Sequence, residues 1–205
     1  MLSRAFEADV PRRWITADTV YGGDRSLRMW LEEQRQPFVL AVPSNEALGW
    51  KSPESLPASE IAAQLESWHR LSAGEGAKGP RLYDWAWTPL WRLQLTAEER
   101  QWGHWLLVRR NLEDPTDLAF YVVFAPREGT LLEVLARVAG MRWHIESCFE
   151  AAKGECGLDE YEVRQWERRE RVSGDWHRHI TLSLLAHAVL AALRAREKGA
   201  KLPAT

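Results

Sequence analysis

Two carboxylates stand out for the residues around them. Asp18 closes the strand-like run Arg13-Trp14-Ile15-Thr16-Ala17 and precedes the turn residues Tyr21-Gly22-Gly23-Asp24. Glu146 lies in the helical pattern from Arg142 to Lys153. At about 100° per residue, Glu146 falls roughly 40° from Arg142, and Lys153 roughly 20° from it, so one acid shares a helix face with two cations. A carboxylate at a strand end and another on a late helix are the hard oxygen ligands that Mg²⁺ prefers, with positions left for substrate phosphates and water. Plainer roles fit the same residues. Asp18 suits a turn or helix N-cap, and Arg142 with Glu146 suits a surface i,i+4 pair worth a few tenths of a kcal/mol.

Other groupings say less. Gly74-Glu75-Gly76-Ala77-Lys78-Gly79 matches a dinucleotide fingerprint, but Pro80 and the strand-like RLYDWAW follow where a helix should open, so it reads as a glycine turn. Lys78 and Arg81 then place two cations on an exposed loop, useful against phosphate. Arg164, Arg168, Arg169, Arg171, Arg178 and His179, near Trp166 and Trp176, form a basic stripe suited to a DNA backbone path, although Glu162, Glu167 and Glu170 intervene. Cys148 and Cys156 are too few for a disulfide framework or a structural zinc site and read as free thiols.

These residues must be positioned by an α/β arrangement. Strand 13–18, helix 26–34 and the apolar run 37–43 between two prolines form a βαβ unit with parallel strands, the second buried on both faces. Texture changes after Pro43. Residues 44–110 carry prolines, glycines and antiparallel strand patterns, clearest at His104–Arg109, and read as an inserted β-rich subdomain. A strand follows over 118–125, then helices over 130–140 and 141–153 broken at Gly140, and a long helix over 176–196. The domain reading is a core of 1–43 and 111–196, an insertion of 44–110 and a tail of 197–205.

Composition narrows the class. The 205 residues are 45% hydrophobic and 27% charged, which is globular, and no run of eighteen apolar residues exists to span a bilayer. The charged start MLSRAFEADVPRR lacks a leader's apolar stretch, so a cytoplasmic protein is expected. A net charge of -2 announces no nucleic-acid partner by itself. Twelve tryptophans exceed what one core of this size usually needs, and five of them, Trp85, Trp87, Trp91, Trp102 and Trp105, fall in the one stretch from 85 to 105 of the insertion.

W-I-T-A-D-T-V-Y-G, G-E-G-A-K-G-P-R-L-Y-D-W-A, L-L-V-R-R and R-W-x-I-E-x-x-F-E-A-A-K-x-E-x-G-L-D-x-Y-E-V-R, in that order, resemble DDE transposases of bacterial insertion sequences, the insertion-sequence-701 family in particular. The resemblance implies a ribonuclease-H-like core, Mg²⁺-dependent DNA strand cleavage and strand transfer, and a homo-oligomeric synaptic complex on transposon ends and target DNA. By position, Asp18 matches the second acid of the triad and Glu146 the third. Arg142 and Lys153 match the R-x3-E-x6-K signature, whose opening tyrosine is replaced by Ala139. Only seventeen residues precede Asp18, too few for the strand that bears the first acid. The expectation is thus a catalytic core incomplete at its N-terminus and inactive alone, or alternatively a non-catalytic DNA-binding remnant that modulates intact transposase. Arg142, Lys153, Lys78, Arg81, Arg178 and His179 are expected on DNA. Trp85, Trp87 and Trp105 are candidates to stack on a flipped base, each also suited to core packing.

Overall fold

Asp18 and Asp24 punctuate the start of the fold. In the computed structural model, which describes residues 2–76, 79–160 and 169–200, α1 (Leu2–Glu7) leads through an extended segment to β1 (Ile15–Ala17). Asp18 caps α2 (Thr19–Gly22), Asp24 caps α3 (Arg25–Glu33), and β2 (Phe38–Val42) returns parallel to β1. Gly22 is needed where it stands, because a Cβ there would lie 1.8 Å from the Ala41 carbonyl oxygen of β2. The βαβ reading of the sequence holds.

β3 (Ala47–Gly49) and β4 (Ser55–Pro57) form a small hairpin, followed by α4 (Ala58–Ala62). Then come β5 (His69–Gly76), β6 (Gly79–Pro89), β7 (Trp102–Arg110) and β8 (Leu118–Pro126). The main sheet is mixed and six-stranded, in the order β1-β2-β8-β7-β6-β5, antiparallel throughout except for β1 beside β2. Residues 44–110 are rich in strands, and most of those strands join the main sheet. β5, β6 and β7 extend the sheet that β2 and β8 begin, and β3–β4 alone stand apart. The pairing partner of β7 is β8, outside the expected insertion, and a ladder cannot be divided there without stranding its backbone donors and acceptors.

Period-two alternation separates two cores. Leu40, Leu106, Val108, Val122 and Phe124 face one side, packing with Leu31 of α3 and Ile61 of α4. Val39, Trp85, Leu107, Tyr121 and Val123 face the other, against Leu132, Leu135, Ala136 and Ala139. The last four belong to α5 (Leu132–Cys156), which runs unbroken through Gly140. The expected break is absent for a packing reason. A Cβ at Gly140 would sit 1.8 Å from the Ala73 carbonyl oxygen, so this glycine admits the β5 backbone to the helix surface rather than ending the helix.

α6 (Arg169–Ala200) completes the described elements. The chain divides into two compact units, Met1–Arg142 and Trp143–Thr205. Among the described residues no helix is long and apolar enough to cross a membrane.

Candidate metal and nucleic-acid site

Asp18 sits at the carboxyl end of β1, in the one parallel pairing of the main sheet. Its Oδ1 accepts from the Val20 and Tyr21 amides at 3.1 and 3.3 Å, the geometry of an N-cap. Oδ2 accepts no hydrogen bond from a described residue. The cap and the strand-end reading are thus both true of this one side chain, and the cap fixes its carboxylate while one oxygen stays available to a cation.

The unbroken α5 carries Arg142, Glu146 and Lys153 at the spacing that places them on one face. Glu146 and Lys153 are exposed. Asp18 belongs to the first unit and Glu146 to the second, and among the described residues no three His, Cys, Asp or Glu side chains cluster to hold a metal. The donor chemistry nevertheless suits Mg²⁺, which is commonly held by one or two carboxylates and completed by water and phosphate oxygens.

The expected DNA contacts divide. Lys78 lies outside the described residues, as do Arg164 and Arg168. Arg81 is not on an exposed loop. It lies on β6, where its Nη2 donates at 3.1 Å to the carbonyl oxygens of both Ala73 and Gly140, tying β5 to α5. The close approach at Gly140 brings both carbonyls within reach of one guanidinium. In the second unit, His179 Nε2 lies 2.9 Å from the Gly157 carbonyl oxygen and secures the end of α5, where Gly157 adopts φ +60°. Arg178 is exposed beside it on α6.

The tryptophans divide too. Trp85 is 0% exposed and Trp105 buried, so neither offers a ring face to a ligand in this conformation; both belong to the core beneath α5. Trp87 is partly exposed and stacks on Trp105 with ring centroids 5.7 Å apart. Trp91, at 39% exposure, borders a cavity of about 730 Å³ with Arg25, Arg28, Glu32, Glu46 and Arg92. Both acids of that cavity have partners. Arg28 pairs with Glu46 at 2.5 Å, and His104 Nε2 stands 3.2 Å from Glu32 Oε2. Burial acts to raise the Glu32 pKa, but the His104 contact and the charges of His104, Arg92 and Arg28 hold it below the usual carboxylate range.

A family model described as a transposase DDE domain matches residues 1–185. The chain belongs to the transposase DDE domain family. Among curated proteins nothing matches it. DNA is the partner that the family implies. Sequence reasoning overlooked one basic group. Arg12 and Arg13 counted only as charges unlike those of a leader, and Arg137 only as part of a helix, yet all three line one groove. Cys148, read from the sequence as a free thiol, has its Sγ 3.2 Å from His187 Nε2, between α5 and α6.

Proposed function

We propose that this chain serves DNA transposition through a ribonuclease-H-like core, with Asp18 and Glu146 as two of the carboxylates that hold Mg²⁺ for strand cleavage and transfer. The metal would supply charge stabilisation to a DNA phosphodiester and an activated oxygen nucleophile. Asp18 contributes an oriented carboxylate, fixed by the Val20 and Tyr21 amides. Glu146 contributes the second acid. Arg142, Lys153 and Arg178 bind the polyanion electrostatically, and Trp87 is the base-stacking candidate with ring surface still accessible. Two or more copies act together on the transposon ends.

The observation that carries this reading is Asp18 itself: a carboxylate at the carboxyl end of a parallel strand, with one oxygen engaged by the cap and the other unused. Calorimetric titration of Mg²⁺ into the full chain with duplex DNA present tests it. D18N and E146Q should each weaken metal binding about tenfold or more, the scale of losing one charged ligand. Equal metal affinity in the wild type and both variants would overturn the assignment.

A further inference from the structure

The segment Pro11–Trp14 and α5 enclose a groove of about 530 Å³, bordered by Arg12, Arg13, Trp14, Arg137 and Met141, with no carboxylate in its lining. This contrasts with the larger cavity beside α3, where Glu32 and Glu46 answer the arginines. We propose that the groove is a nucleic-acid backbone site, in which Arg12, Arg13 and Arg137 engage successive phosphates beside the half-buried Trp14. The proposal rests on the DNA-handling role given above, and it adds residues that this role does not assign.

Arg12 is built into place. Its Nε donates to Gln36 Oε1 at 3.0 Å, its Nη1 donates to the Val10 carbonyl at 3.0 Å, and its guanidinium carbon lies 3.5 Å from the Phe6 ring centroid. Gln36 is only 6% exposed and is itself held, donating to the carbonyl oxygens of Arg13 and Pro37 at 3.3 and 3.1 Å. Nη2 of Arg12 makes no hydrogen bond to a described residue. A guanidinium oriented in advance loses little freedom when it meets a phosphate, and its planar fork matches two phosphate oxygens. Arg13 and Arg137 are exposed and make no ion pair with a described residue.

Charge decides the occupant. Three cations around one open groove, with no opposing acid, exceed what a single phosphate can neutralise and match a ligand that repeats its negative charge along its length. Trp14 adds a ring surface, which a nucleic acid can use and an acidic peptide has less use for.

The test is fluorescence anisotropy of the full chain with a labelled duplex of about 20 base pairs, read between roughly 50 and 200 mM salt. R13A/R137A should lose about tenfold in affinity, and its plot of log affinity against log salt should flatten by about two phosphate contacts. R70A, on the opposite edge of the sheet, should stay within roughly twofold. R13K/R137K should recover much of the binding, which separates lost charge from misfolding. Unchanged affinity in R13A/R137A, or an equal loss in R70A, overturns the groove. So does displacement of the duplex by inorganic phosphate at matched ionic strength, which would make this a small-anion site, or equal competition by polyglutamate. If D18N still weakens Mg²⁺ binding while R13A/R137A binds DNA normally, the groove alone falls. If the wild type binds no duplex at low salt, both readings fall.

Discussion

Leu106 and Leu185 are the same residue in opposite circumstances. Leu106 lies on β7, 0% exposed, between β6 and β8 and beneath α3 and α4; Leu185 lies on α6, 59% exposed. Their regions differ in the same way. The first unit covers both faces of its sheet, whereas in the second Trp143, Ile145, Phe149, Leu182 and Val189 are exposed and, among the described residues, only Ala152 and Ser183 are buried. Apolar burial is the main term favouring folding, so the stabilisation visible in the described residues is concentrated in the sheet. Composition does not reveal this, since both regions are rich in leucine and tryptophan.

The contrast can be broken most directly by truncating those two leucines. L106A should cost about 2–5 kcal/mol, the range for a buried leucine that leaves a cavity, and L185A within about 0.5 kcal/mol, both read by denaturant unfolding. Similar losses would show that the second unit's exposed side chains are packed in solution. G140A probes the sheet unit where helix meets strand. The added methyl meets the Ala73 carbonyl, and a loss of about 1–3 kcal/mol is expected, visible as a lower Tm.

Smaller effects sharpen the reading of Asp18. D18A should cost about 1 kcal/mol through the lost cap, whereas D18N should cost little, because asparagine caps as well as aspartate. Loss of metal binding in D18N at unchanged Tm would therefore isolate the charge from the cap. The smallest effect is acid sensitivity at Asp84. Burial raises its pKa, but hydrogen bonds from Arg70 and Arg110 and their charges outweigh that and hold the carboxyl below its usual value. A carboxyl depressed in the folded state contributes stability above its unfolded value, near 3.9, and that contribution is lost as pH falls toward the folded value. The wild-type Tm should thus fall more steeply than that of D84N across this acidic window.

Local signals in the sequence recovered the local structure. Prolines 37 and 43 bracket β2, the glycines from 74 to 79 mark the β5–β6 hairpin, and the long apolar runs are β7 and β8. Asp18 was placed correctly at a strand end because both the strand and the turn after it are written in adjacent residues. What could not be read depends on partners distant in sequence. Gly140 looked like a helix breaker because its reason, Ala73, lies on another element. Arg81 looked like a loop cation because one of its acceptors, the Gly140 carbonyl, lies on an element distant in sequence. The pairing of β7 with β8 likewise leaves no trace in composition. For Trp85 the sequence left base stacking and core packing both open, because the helix it packs with lies about fifty residues further on.

Strand order has a kinetic consequence. β5, β6, β7 and β8 pair in sequence order through connections far shorter than the stretch from Val42 to Phe120 that must fold back before β2 meets β8. Closing that loop costs chain entropy before any β2–β8 contact repays it, so the four-strand meander forms first and the β1–β2 pair docks last. The Asp18 turn is carried on the docking piece, and this carboxylate reaches its place at the final stage of sheet assembly.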